Sequence, residues 1–107
     1  MKVQKLTEKE MDRELCENEG TVVIDFYADW CGPCKMLAPI YEELAEEMPG
    51  IFFGKVNVEE EEEAARRFGV RSVPTVLIFR DGKEVAKSRG FVRKAALRES
   101  VASAARS

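Results

Sequence analysis

The chain has 107 residues, 45% of them hydrophobic, and a formal net charge of −3 with acidic and basic residues interspersed. This length and apolar content predict a single domain, residues 1–107, with a buried core. The weak negative charge gives no electrostatic case for nucleic-acid binding, and no apolar stretch is long enough to span a membrane. Histidine is absent, which excludes histidine acid–base catalysis and Cys/His zinc sites.

The N-terminus and the cysteine count indicate the compartment. The sequence begins at Met1 and lacks the apolar stretch of a signal peptide, so we expect a cytoplasmic protein. Its three cysteines, an odd number, do not form the disulfide framework of a small secreted protein. We also expect the chain to act as a monomer.

Hydrophobic periodicity and turn residues divide the chain into alternating strands and helices. The first half of the chain has an edge strand at 3–6, a helix after a Thr7/Glu10 capping box that ends near 18–20, a strand at 21–27 and a helix at 34–48 containing Pro39. The second half has a strand at 51–58, a helix that starts with the acidic run 59–63 and stops at Gly69, a strand at 73–79, an edge strand at 84–88 after an Asp81-Gly82 turn, and a helix at 93–105. We expect strands separated by helices to pair in parallel and the two strands of the hairpin to be antiparallel. The order β-α-β-α-β-α-β-β-α therefore predicts an α/β fold with a mixed five-stranded sheet and helices on both faces.

The segment Trp30-Cys31-Gly32-Pro33-Cys34-Lys35 links the apolar strand at 21–27 to the next helix. Residues three apart on a helix are neighbours, at a separation that a disulfide bridges. The first turn also has unpaired N–H groups and the positive end of the helix dipole, which stabilise a thiolate. Gly32 lets a partner's backbone approach, and Pro33 sacrifices no hydrogen bond there. We expect this site at the carboxyl end of a central strand.

Position distinguishes the cysteines from one another. We expect Cys31, at the helix tip, to be the exposed nucleophile and Cys34, one turn inside, to be the more buried resolving thiol. The alternative is half of a zinc site, but zinc needs four ligands and only Cys16 remains as a soft ligand. Cys16 itself is expected to be a small buried apolar residue of its helix, with a regulatory thiol as the alternative. The acidic run 59–63 is interpreted as a solvated helix start, not a metal site.

Asp25 is the one carboxylate in the apolar strand at 21–27. Burial disfavours the charged form of a carboxyl group, so we expect the pKa of Asp25 to be raised. The alternative is a strand residue whose side chain makes a local hydrogen bond. Lys55, on the adjacent predicted strand, is a possible partner of Asp25, although a lone lysine is more often an exposed charge.

The segment from Asp25 to Lys35, DFYADWCGPCK, closely resembles the active-site segment of the thioredoxin family. The resemblance covers nearly the whole chain in the family's order and spacing, through Pro39, Lys55, residues 73–75, Asp81-Gly82 and Gly90. It implies the thioredoxin fold and a thiol–disulfide oxidoreductase that reduces protein disulfides. It gives Cys31 and Cys34 the same roles as above and makes Asp25 a proton acceptor that serves Cys34.

The resemblance also implies a cis Val73–Pro74 peptide that faces the two cysteines. From the residues alone, Pro74 is an ordinary strand-start proline. With a cis bond, the Val73 backbone would be turned toward an extended substrate peptide. The expected apolar docking rim consists of Trp30, Val73, Pro74, Gly90 and Phe91. Two departures from the family lie here: Tyr27 stands where many members have tryptophan, and Phe91 stands where a small residue is common.

The implied partners are disulfide-containing target proteins and a thioredoxin reductase, with no cofactor beyond a redox-active Cys31–Cys34 disulfide. Gly32-Pro33 between the cysteines favours a reductant over an oxidant or isomerase, which usually has histidine there. The second interpretation is a binding module that clamps a partner enzyme and makes no use of the dithiol.

Overall fold

The computed structural model describes residues 2–106, so Met1 and Ser107, the two ends of the predicted domain, lie outside the described residues. The strands are β1 (Val3–Lys5), β2 (Thr21–Tyr27), β3 (Phe52–Asn57), β4 (Thr75–Arg80) and β5 (Lys83–Arg89). The helices are α1 (Glu8–Glu17), α2 (Gly32–Glu47), α3 (Glu62–Arg67) and α4 (Lys94–Arg106). The predicted order of elements is confirmed, and most bounds differ by one or two residues.

Two local signals in the sequence produce the structures predicted from them. The hydroxyl of Thr7 accepts the N–H of Glu10 at 3.1 Å, and the Glu10 carboxylate accepts the N–H of Thr7 at 2.9 Å, which completes the capping box of α1. Asp81 and Gly82 have φ angles of 52° and 81°, the positive values that a tight two-residue hairpin turn requires.

Helix α3 begins later than the acidic run 59–63 predicts. The side-chain oxygen of buried Asn57 accepts the N–H groups of Glu59 and Glu60, at 2.8 and 3.3 Å, and holds these residues in a turn. The helix therefore starts only at Glu62 and has six residues.

The sheet has the strand order β1-β3-β2-β4-β5, which makes β2 the central strand. Strands β1, β3 and β2 are parallel, but β4 is antiparallel to both β2 and β5. The expectation that strands separated by helices pair in parallel is therefore wrong for β4. A six-residue helix is about 9 Å long, whereas a six-residue strand spans about 20 Å, so α3 does not carry the chain back across the sheet. Thr75 lies opposite Phe26 as a result, and the residues before β4 adjoin those after β2.

Apolar side chains cover both faces of the sheet, which leaves six of the seven residues of β2 buried. One cluster joins the sheet to α2 and α4, and its members include Val23, Leu37, Leu44, Leu97 and Val101. A second cluster joins the sheet to α1 and α3, and its members include Met11, Ile24, Phe26, Ala64 and Phe79. This two-sided packing fixes the end of β2, and with it the start of α2.

Candidate active site

Cys31 and Cys34 are joined by a disulfide across the first turn of α2, with their Cα atoms 5.2 Å apart. Cys31 is the N-cap residue in an extended conformation, and its Sγ accepts the backbone N–H of Cys34 at 3.2 Å. This N–H is one of the groups that a helix leaves unpaired at its start. The same contact and the helix dipole stabilise negative charge on the Cys31 sulfur when the disulfide is reduced.

The expected difference in exposure between the two cysteines is wrong. Cys31 is 3% exposed and Cys34 is 4% exposed, so neither side chain is the more accessible one. They pack in a small cluster with buried Ala28 and with Val73, whose carbonyl oxygen lies 3.6 Å from the Cys31 Sγ. The disulfide also places each sulfur against the other. Their hydrogen bonding and their neighbours, and not their burial, distinguish the two residues.

Asp25 lies behind the disulfide and is 4% exposed. Its Oδ1 is buried, and no group in residues 2–106 donates a hydrogen bond to it. Asp25 and Cys34 line the same cavity of about 180 Å³, which is large enough to hold water. Burial raises the pKa of Asp25 from its ordinary value of 3.8 to about 7. The carboxyl group therefore exchanges a proton near neutral pH.

Lys55 lies directly beside Asp25 in the parallel register of β2 and β3, and it lines the same cavity. Its positive charge lowers the pKa of Asp25, but this effect is smaller than that of burial. The Lys55 ammonium group lies 5.5 Å from the centre of the Tyr27 ring, a cation–π distance. Lys55 is therefore close enough to favour the Asp25 carboxylate while its ammonium group contacts an aromatic ring.

The predicted docking residues lie on three segments, at 30, 73–74 and 90–91, and Pro74 among them is buried. Trp30 is 67% exposed and Phe91 is 41% exposed, whereas Val73 and Gly90 are half-buried. The Val73–Pro74 peptide is cis, as the resemblance implied, and the carbonyl of Pro74 accepts the N–H of Gly90 at 2.8 Å. That hydrogen bond ties the residues after β5 to those before β4.

Cys16 does not occupy a buried position on α1. It is exposed and is the one free cysteine among the described residues. The stripe of α1 that faces the core is occupied by buried Met11 and half-buried Leu15. Cys16 follows Leu15 and is turned about 100° away from it, which places the thiol outside the core.

A model of the thioredoxin family matches residues 2–103 of the chain. The chain belongs to the thioredoxin family. A thioredoxin from Bacillus subtilis (strain 168) is 45% identical over 102 residues, which cover 94% of this chain and 96% of the relative. A thioredoxin from Mycoplasmoides gallisepticum is 47% identical over 90 residues, which cover 84% of this chain and 89% of the relative. A mutant thioredoxin from Halobacterium salinarum NRC-1 has a similar structure, with a TM-score of 0.90 at 37% identity and coverage of 97% of this chain and 91% of the other.

Membership in the family confirms the predicted fold and activity. This thioredoxin is a thiol–disulfide oxidoreductase, and its redox-active disulfide serves where other oxidoreductases use a cofactor. Target proteins with disulfides and a thioredoxin reductase are the partners general to the family. Within residues 2–106, no three acidic or cysteine side chains are grouped to hold a metal ion. No helix of that range is long and apolar enough to cross a bilayer.

Sequence reasoning missed two residues near the disulfide of this thioredoxin. Met36 is 59% exposed, and it follows Gly32 by four residues and so shares its helix face. That spacing is the signal that a large exposed apolar side chain lies one helical turn after Gly32. Glu59 was assigned to a solvated helix start, but its Oε2 accepts the indole N–H of Trp30 at 2.9 Å. No local sequence pattern indicates this contact, because 29 residues separate the two partners.

Replacing Glu59 by alanine should release the indole of Trp30. The chain has one tryptophan, so its fluorescence anisotropy reports this ring alone. We expect lower anisotropy in Glu59→Ala, and a KM for a protein disulfide that rises up to about fivefold, since a hydrogen bond contributes about 1 kcal/mol. Glu59→Gln is the control, because its amide oxygen still accepts the indole N–H. Equal anisotropy in the Ala and Gln variants would contradict this function of Glu59.

Proposed function

We propose that residues 1–107 form one monomeric thioredoxin domain, which works in the cytoplasm and reduces target disulfides through Cys31 and Cys34. The observation that supports this most directly is the position of the disulfide. It spans the first turn of α2 at the carboxyl end of β2, with the buried carboxyl group of Asp25 behind it. Gly32 and Pro33 form the exposed turn between the cysteines, and Gly32 has no side chain to keep an approaching backbone away.

Cys31 attacks first. In the dithiol form, its thiolate attacks one sulfur of the target disulfide and forms a Cys31–target bond, while the other target sulfur leaves as a thiolate and takes up a proton. Two features support this assignment: the N–H of Cys34 at 3.2 Å from the Cys31 Sγ, and the positive end of α2. Both lower the free energy of the thiolate that must attack.

Cys34 resolves the mixed disulfide. Asp25 accepts the thiol proton of Cys34, directly or through water in the cavity that both residues line. The Cys34 thiolate then attacks the Cys31 sulfur, the Cys31–Cys34 disulfide forms, and the second target sulfur leaves and is protonated. Two electrons have then passed from the dithiol to the target. Lys55 assists by favouring the ionised form of Asp25, which is the form that accepts a proton.

The target chain lies across the docking rim, which we define as Trp30, Val73, Pro74, Gly90 and Phe91. The Val73 carbonyl lies 3.6 Å from the Cys31 Sγ, so a chain that extends along Val73 passes next to the reactive sulfur. Exposed Trp30 and Phe91 supply apolar contact area on either side. A thioredoxin reductase then returns the Cys31–Cys34 disulfide to the dithiol.

The direct test is the reduction of insulin disulfides with dithiothreitol as the terminal reductant. The parent protein should accelerate precipitation of the reduced insulin chains, and the double variant Cys31→Ser, Cys34→Ser should leave the rate at that of dithiothreitol alone. The same assay with candidate reductases and NADPH identifies the enzyme that recharges the protein. A double variant as active as the parent would contradict the proposal and favour the binding module.

A further inference from the structure

Three arginines beside the docking rim carry charges that no described carboxylate neutralises. Arg71 precedes Val73 by two residues, Arg89 directly precedes Gly90, and Arg93 follows Phe91 by two residues. All three are exposed, and none forms an ion pair with a residue in the range 2–106. We call Arg71, Arg89 and Arg93 the basic rim.

The lysines next to the basic rim, unlike its three arginines, form ion pairs with described carboxylates. Lys87 lies 3.9 Å from Glu84, and Lys94 lies 3.0 Å from Glu43 and 2.6 Å from Glu47. The protein as a whole has more acidic than basic residues, 20 against 17. Three unpaired arginines within two short segments are therefore a local excess of positive charge on a weakly acidic protein.

Acidic residues lie on the Trp30 side of the disulfide instead, at Asp29, Glu59 and Glu60. Glu59 accepts the indole N–H of Trp30, and Glu60 pairs with Lys5 at 2.9 Å. The indole is neutral, so Glu59 keeps its negative charge, whereas the unpaired charges described on the Val73 and Gly90 side are the arginines of the basic rim. The charge that a target meets first at this end of the sheet is therefore positive on the Val73 and Gly90 side.

The backbone brings the basic rim to the site of reaction. Arg89 lies opposite Thr75 in the β4–β5 register, directly after the cis-proline segment. The N–H of Gly90 donates to the carbonyl of Pro74 at 2.8 Å, so the segments 71–74 and 89–93 adjoin. The first of these segments touches the disulfide through the Val73 carbonyl. The basic rim therefore lies on two segments that adjoin the Val73 side of the disulfide.

We infer that this thioredoxin prefers target disulfides flanked by acidic side chains, which the basic rim recruits. The inference rests on the proposed function, since it names the class of target that the same site selects. Guanidinium groups bind carboxylates through two parallel hydrogen bonds, and a cluster of like charge accelerates the encounter with an oppositely charged partner. Because exposed ion pairs contribute little binding energy, the preference acts mainly on the association rate.

The test compares three disulfide-linked peptides that differ only in the residues flanking the cysteine: two Asp on each side, two Ser, or two Lys. The reduced protein reacts with each peptide in single turnover, and released peptide thiol is measured. Each rate constant is divided by that for dithiothreitol with the same peptide, which removes the effect of the flanking charges on the disulfide itself. At about 0.01 M salt we expect the acidic peptide to react at least about tenfold faster than the basic one. At about 1 M salt, where the Debye length falls from about 30 Å to about 3 Å, the ratio should approach one.

Two triple variants locate the effect. Arg71→Gln, Arg89→Gln, Arg93→Gln should bring the ratio close to one at low salt. The matched control Lys2→Gln, Lys9→Gln, Lys83→Gln removes the same charge from exposed positions outside the two segments, and it should keep the preference. A parent ratio near one at low salt, or a preference that survives loss of the three arginines, would overturn the inference while reduction of the Ser peptide still upholds the proposed function. Failure to reduce the Ser peptide at all would overturn the proposed function and the inference with it.

Discussion

Cys34→Ser should accumulate covalent complexes with disulfide-containing targets, and Cys31→Ser should accumulate few. In Cys34→Ser the Cys31 thiolate attacks as before, because a serine at position 34 still offers its backbone N–H to the Cys31 sulfur, as Cys34 does at 3.2 Å. No second thiol is then present to break the mixed disulfide. In Cys31→Ser the remaining Cys34 thiol lies one turn inside α2, next to the Asp25 cavity, and lacks the N-cap position.

Non-reducing electrophoresis after mixing each variant with a disulfide-containing target measures the complexes. Both variants should also lose turnover to the rate of dithiothreitol alone, since each lacks one of the two sulfurs that receive the disulfide. Cys16→Ser is the matched control, because Cys16 is exposed on α1 and makes no contact with the disulfide. It should keep both turnover and a normal, low level of complex. The assignment of nucleophile and resolving thiol would be wrong if Cys31→Ser trapped targets as well as Cys34→Ser does.

Local sequence signals predicted the elements well, because the interactions that define them are local. The Thr7/Glu10 capping box involves residues three apart, and the Asp81-Gly82 turn depends on the φ angles of two adjacent residues. The direction of β4 was mispredicted because it depends on how far α3 carries the chain. The acidic run 59–63 favours a longer helix, and the side chain of Asn57 shortens it.

The exposure of the cysteines could not be predicted, because it depends on residues distant in sequence. Cys31 is covered by Val73, 42 residues away, and this contact exists only because β4 runs antiparallel to β2. Cys16 was predicted to be buried, because it lies next to the apolar stripe of α1, but it is exposed. Neighbouring residues on a helix are about 100° apart, so a difference of one position moves a side chain from the core to solvent. The pKa of Asp25 was predictable in direction, because a lone carboxyl group in an apolar strand is desolvated in any fold that buries the strand.

Asp25→Asn should stabilise the oxidised protein, and the gain should depend on pH. Burial raises the pKa of Asp25 from 3.8 to about 7, so between these values the folded protein retains a proton that the unfolded chain has released. The free energy of unfolding therefore falls as the pH rises from about 4 to about 7, and it levels off above that. The pKa of Asp25 moves from 3.8 to about 7, and each pH unit corresponds to about 1.4 kcal/mol. The free energy of unfolding therefore falls by at most about 4 kcal/mol across this range, and the gain of Asp25→Asn has the same upper limit. Urea unfolding of both proteins should give a small difference at pH 4 and the full gain of the variant at pH 8.5.

The same substitution should slow the resolving step, because asparagine accepts no proton from Cys34. Loss of a general base lowers a rate by about 10²-fold or more, so release of the target from the mixed disulfide should fall by that order at neutral pH. The first attack by Cys31 should change by less than about twofold, since its thiolate is stabilised by the N–H of Cys34 and by α2. Rapid-quench measurement of the mixed disulfide separates the two steps. Asp29→Asn is the control for the resolving step, because exposed Asp29 lines the same cavity and loses the same charge, yet it should leave the resolving rate unchanged. Equal resolving rates in Asp25→Asn and the parent would show that Asp25 does not take part in the resolving step. In the unfolding experiment, a stability difference that stays constant between pH 4 and pH 8.5 would mean that the Asp25 carboxyl group titrates as in the unfolded chain.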